Sequence, residues 1–118
     1  MARDEGLEPR LPFSDRAYVE EKKVTEYLLN LRHKVGGSKA RFFVARGFVR
    51  TEWGELQRAL LVHAQTNAPT RRVQNDYGMR YTIECNCPTP DGRDPCIRTV
   101  WEIGADERPR LLTAIPMP

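Results

Sequence analysis

A histidine and a lysine six residues apart across a glycine pair are the side chains of this sequence best suited to chemistry. His33, Gly36, Gly37, Ser38, Lys39 and Arg41 all fall within LNLRHKVGGSKARFF, residues 29–43. An imidazole exchanges protons near neutral pH, and ammonium and guanidinium groups stabilise charge developing on a phosphate. Metal-free RNA cleavage calls for that set: the ribose 2′-hydroxyl attacks the adjacent phosphorus while a base and an acid move protons. In this reading His33 is the proton-transfer residue, and Lys39 and Arg41 are the phosphate and transition-state cations. Gly36, Gly37 and Ser38 would open a helix whose first N–H groups bind substrate phosphate, with glycine letting the backbone approach closely. The competing structural reading is a glycine turn between two helices, with His33 complementing a helix C-terminus. The G-x-x-x-x-G-K-[ST] pattern of nucleoside-triphosphate loops is absent.

Thr99 and Thr113 lie on predicted strands at even spacing from apolar neighbours, so they are read as substrate-binding hydroxyls on a sheet surface, although threonine is also an ordinary strand former. Tyr77, Tyr81, Trp101 and Phe42 are aromatic groups that either stack on bases or fill a core. His63 reads as a core-edge or surface residue of a helix. Cys85, Cys87 and Cys96 are odd in number, and their C-x-C-x8-C spacing lacks the fourth ligand of a structural zinc site, so neither metal nor cofactor is expected. A reducing compartment suits them best.

Charge singles out the same region. Residues 27–51 hold Arg32, Lys34, Lys39, Arg41, Arg46 and Arg50 with no Asp or Glu, whereas the other 93 residues carry 13 basic and 16 acidic groups. A local field of this kind draws phosphate or an acidic protein. The alternative is a solvated helix face.

These side chains must be positioned by elements that the hydrophobic pattern outlines. Val24, Tyr27, Leu28 and Leu31 recur at steps of three and four, which predicts one buried face of a helix over 20–31. Ser38 is the expected N-cap of a second helix ended by Gly47, and Thr51 of a third with Trp53, Leu56, Leu60 and Ala64 on one face. After Pro69 the period becomes two. MRYTIEC places Met79, Tyr81, Ile83 and Cys85 together, CIRTVWEI does the same for Ile97, Thr99, Trp101 and Ile103, and PTPDGRDP between them is turn chemistry. PRLLTAIP makes a final strand and RRVQN a possible first one. The expected fold class is α+β, N-terminal helices packed on an antiparallel meander of three to four strands. One domain over 13–118 follows a flexible lead-in at 1–12. No apolar run approaches the roughly 20 residues needed to cross a bilayer, and MARDEGLEPR is not a signal peptide, so a soluble, cytoplasmic chain is expected.

The order of motifs resembles a small, uncharacterised bacterial domain family marked by L-N-x-x-H-x-x-G-x-x-K-A-R-x-F. Leu29, Asn30, His33, Gly36, Lys39, Ala40, Arg41 and Phe43 fall in register with it, and the likeness runs from about Leu11 to Pro116. That family looks like the barnase–EndoU–colicin–RelE superfold of metal-independent ribonuclease toxins. The resemblance implies a toxin-like RNA endonuclease, RNA as substrate, and a small antitoxin or immunity-like partner. The second helical histidine of some of those nucleases is missing, which leaves more of the work to Lys39 or Arg41. The alternative is a non-catalytic module that binds nucleic acid or protein through the basic helix pair.

Overall fold

The computed structural model describes residues 7–117, and the two hydrophobic periods of the sequence become two layers. The helical part comprises a 3-10 turn at Ser14–Arg16, helix α1 at Glu21–Lys23 continuing as a π-helical turn at Val24–Leu28, helix α2 at Gly37–Ala45, a 3-10 turn at Arg50–Glu52 and helix α3 at Trp53–Thr66. Strands β1 (Pro69–Asn75), β2 (Gly78–Asn86), β3 (Cys96–Ile103) and β4 (Arg110–Pro116) pair antiparallel in the order β1-β2-β3-β4. The α+β class and the helices-then-meander order match the sequence reading. No helix among the described residues is long and apolar enough to cross a membrane.

Alternation decides which sheet face meets the helices. Tyr81, Ile83, Ile97, Trp101, Ile103 and Leu111 are buried with Val24, Leu28, Phe43, Leu56 and Leu60 in one core cluster. Each such side chain contributes roughly 1.5–3 kcal/mol through removal of its surface from water. The other face is polar, with Arg80 and Arg110 paired to Glu102 and Arg98 paired to Glu84. Cys85, expected on the core face, is exposed instead. Its φ of 111° breaks the alternation, and Cys87 takes the buried place.

Of the expected lead-in, residues 1–6 lie outside the described residues. Leu11 is part of the core, and Glu8 accepts a hydrogen bond from Tyr81 Oη at 2.9 Å and pairs with Arg72 at 3.3 Å. Tyr18 bridges Arg110 in parallel, so the segment before α1 covers part of the β4 edge.

Two local departures from the sequence reading bear on the site. In α1 the Leu29 N–H reaches Val24 O, five residues back, at 2.8 Å. This widened turn shifts the buried face to Val24, Leu28 and Leu29, leaves Leu31 51% exposed, and puts Tyr27 half-buried at the boundary. Neither expected N-cap is used: α2 starts at Gly37 and its lead-in is tied by His33, while Thr51 lies inside the 3-10 turn before α3. Gly47 does end α2, at φ 103°. Its N–H donates to Val44 O and the Phe48 N–H to Phe43 O, the paired bonds of a Schellman motif, with the Phe43 and Phe48 rings 6.2 Å apart.

Candidate active site

The turn between α1 and α2 is built on the His33 ring. Its Nδ1 accepts hydrogen bonds from the Val35 N–H at 3.0 Å and the Gly36 N–H at 2.9 Å. Two donors converging on one nitrogen fix it as the unprotonated one, so the ring hydrogen sits on Nε2. The Gly37 N–H donates to the His33 carbonyl at 3.0 Å. The N–H groups of Gly36 and Gly37, expected to receive phosphate, are therefore already engaged in holding the turn. Ser38 stands exposed beside them.

Tyr27 packs against this turn. Its ring meets the His33 ring edge-on, centroids 5.0 Å apart at 84°. Gly36 is glycine for a packing reason: a Cβ there would lie 2.8 Å from two carbons of the Tyr27 ring. From α2, the Lys39 ammonium donates to Tyr27 Oη and, at 3.0 Å, to Thr113 Oγ1. It also lies 4.8 Å from the Tyr27 ring centroid, with the Lys23 ammonium at 5.3 Å. Thr113 is brought in by a β-bulge in β4. Trp101 pairs with Leu111 and Val100 with Thr113, which leaves Leu112 as the extra residue and re-aims the edge strand.

His33, Lys39 and Thr113, separate candidates in the sequence, meet here around Tyr27, which helical spacing assigns to a buried helix face. The residues that meet are 12 and 74 positions apart, and no spacing in the sequence connects them. The electrostatics single out Tyr27. Burial by itself pushes its phenol up, but the hydrogen bonds with Lys39 and Thr113 and the charges of Lys39 and Lys23 outweigh this, and the phenol ionises below its ordinary 10. Tyr27 and His33 line a shallow surface cleft of about 660 Å³ together with Glu20, Lys22, Lys23, Glu26 and Asn30.

Arg41 is exposed on α2 and does not join the cluster; like Arg32, Lys34 and Arg50, it is an exposed cation with no ion pair among the described residues. Arg46, from the same acid-free stretch, is instead paired with Asp91 at 3.2 Å.

Thr99 lies elsewhere. It is fully buried, accepts from Trp101 Nε1 at 2.8 Å, and its hydroxyl is 2.9 Å from His63 Nε2. His63 Nδ1 faces the Asn86 carbonyl at 3.2 Å and must be the donor there. The polarity of the chain is then set from both ends: Trp101 donates to Thr99, Thr99 to His63, His63 to Asn86. Burial disfavours the His63 imidazolium and pulls its titration below 6.5. This network is core wiring, so Thr99 is not a sheet-surface group and His63 not a surface residue. Tyr81 and Trp101 are core as well, Tyr77 is exposed, and Phe42 is half-buried. Burial pushes the Cys87 thiol up to about 12, that of a packing residue. No group of three metal-ligating side chains converges among the described residues.

With that geometry in place, the chain can be set beside known proteins. Residues 10–118 match a family model described as "Domain of unknown function (DUF6883)". No curated protein matches. Among solved structures, a chain of "Contact-dependent growth inhibition toxin - immunity protein complex from Klebsiella pneumoniae 342" superposes with a TM-score of 0.69, over 89% of this chain and 97% of that one, at 18% identity. At that identity the two share a fold.

Proposed function

The chain belongs to the DUF6883 family, and we propose that this member is a toxin-like, metal-independent RNA endonuclease, the toxin half of a toxin–antitoxin or toxin–immunity pair acting in the cytoplasm. The observation that carries the reading is the junction of Lys39, Tyr27 and Thr113 beside His33, with His33 and Lys39 drawn from the stretch 27–51 that holds no acidic residue. Two of the three ammonium hydrogens of Lys39 have partners among the described residues, which leaves one for a phosphate oxygen. The His33 Nε2–H supplies a second donor. In-line attack by a 2′-hydroxyl puts charge on those oxygens, and fixed donors in a half-buried site stabilise it without reorganising. Arg41, Arg32 and Lys34 gather the RNA backbone by counterion release and contribute little to the chemical step.

The fold is shared with a chain of a contact-dependent growth inhibition toxin–immunity protein complex, and this supports the pairing. A partner rich in carboxylates would be steered onto the same exposed cations, because complementary charge speeds encounter.

Full-length protein incubated with a mixed-sequence single-stranded RNA in EDTA tests the reading. Wild type is expected to cleave, and Lys39→Ala to retain binding while losing on the order of 10²- to 10³-fold in turnover, the scale for removing one transition-state donor. Salt-dependent RNA binding with no cleavage would instead identify a non-catalytic binding module.

A further inference from the structure

We propose that the general base of the reaction is Tyr27, not His33, with Lys39 returning the proton to complete the cycle. The inference rests on the ribonuclease reading and deepens it by assigning the proton transfers.

His33 is excluded as the base by its own hydrogen bonds. A base must present a lone pair, and the one on Nδ1 is taken by the Val35 and Gly36 N–H groups. The other nitrogen carries the hydrogen. Moving that hydrogen to Nδ1 would point it at two N–H donors and undo the turn from which α2 starts. The ring is therefore a fixed donor at Nε2.

Tyr27 has the complementary properties. Tyr27 lines the cleft with His33, and its Oη is touched by the Lys39 ammonium and the Thr113 hydroxyl. A phenolate there is balanced by Lys39 from α2 and Lys23 from its own helix. The other titratable groups facing it are His33 from the turn and Glu20, Lys22 and Glu26 along the cleft, while β4 contributes only the Thr113 hydroxyl. The net surrounding charge favours the ionised phenol, in line with its lowered titration.

The cycle balances without a cofactor. Phenolate Oη takes the proton of the ribose 2′-hydroxyl, the 2′-oxygen forms a bond to phosphorus, and the bond from phosphorus to the 5′-oxygen breaks. That oxygen leaves with a proton from the Lys39 ammonium. Tyr27 then holds one proton too many and Lys39 one too few, and their hydrogen bond passes it back, restoring phenolate and ammonium. The products are a 2′,3′-cyclic phosphate and a 5′-hydroxyl.

The deciding experiment is the pH dependence of kcat/KM on the mixed-sequence RNA in EDTA, for wild type, Tyr27→Phe, Glu26→Gln and protein carrying 3-fluorotyrosine at position 27. Wild-type rate is expected to climb with pH up to a plateau below pH 10. Tyr27→Phe should lose about 10²- to 10⁴-fold together with that climb. The more acidic fluorotyrosine should move the climb to lower pH. Three results would overturn the assignment while leaving the ribonuclease intact: full activity in Tyr27→Phe, a slower Tyr27→Phe that keeps the climb, as a positioning residue would, or loss of the climb in Glu26→Gln. A wild type that cleaves nothing at any pH overturns the ribonuclease reading and the base with it.

Discussion

Single residues in this domain do two different jobs, and substitutions separate them. Thr99 joins Trp101 to His63 in the core, so Thr99→Val strips an acceptor from one buried group and a donor from the other. A loss of about 1–3 kcal/mol is expected from the urea midpoint, with RNA binding by the folded protein unchanged. His63 makes the same network pH-sensitive. Its folded form is held neutral while the unfolded residue takes up a proton near 6.5, so the unfolded state binds more protons as pH falls. Stability is therefore expected to drop from about pH 6.5 downward and level off below the folded titration point, and His63→Gln should flatten that part of the urea-midpoint profile. At the candidate active site the sensitive position carries no side chain. Gly36→Ala forces a methyl against the Tyr27 ring at 2.8 Å, and about 1–3 kcal/mol of destabilisation should accompany loss of cleavage. His33 and Lys39 were legible as chemistry because their types and their glycine corner stand out in the sequence. Tyr27 was not, because a tyrosine at helical spacing reads as core unless its long-range partner is known.

At the scale of elements, regular periods were legible and irregular ones were not. Alternation through Tyr81 and Ile83, and through Ile97, Thr99, Trp101 and Ile103, identified the buried sheet face because register on a one-sided sheet is set locally. The π-turn at Val24–Leu28 and the bulge at Leu112 each insert a residue into a regular repeat, and no single-sequence period announces such an insertion. These two irregularities bring Tyr27 and Thr113 to Lys39, so the part of the fold least visible in sequence is the part that assembles the site. The start of α2 belongs to the same class. His33 does by side chain what Ser38 was expected to do, and His33→Ala should cost about 0.5–2 kcal/mol in chemical denaturation, the range for loss of a helix-capping side chain.

For the molecule as a whole, the positive charge of residues 27–51 is largely left exposed. Pairing Arg46 with Asp91 removes one cation from the acid-free stretch, and exposed Arg32, Lys34, Arg41 and Arg50 remain without an ion pair among the described residues. RNA affinity measured against salt should therefore fall steeply, and Arg41→Ala should reduce the slope of log affinity on log salt by about 1 without a large change in turnover of bound RNA. The distribution of charge needed no structure to be seen. Its separation into exposed, unpaired cations and the Lys39–Tyr27–Thr113 junction did, because exposure and ion pairing are tertiary properties. The most direct test of the account is the chemistry of the RNA ends left by purified wild-type protein in EDTA at neutral pH. A 2′,3′-cyclic phosphate and a 5′-hydroxyl, with a fully 2′-deoxy substrate untouched, is the predicted result; no cleavage, or equal cleavage of the deoxy strand, would contradict it.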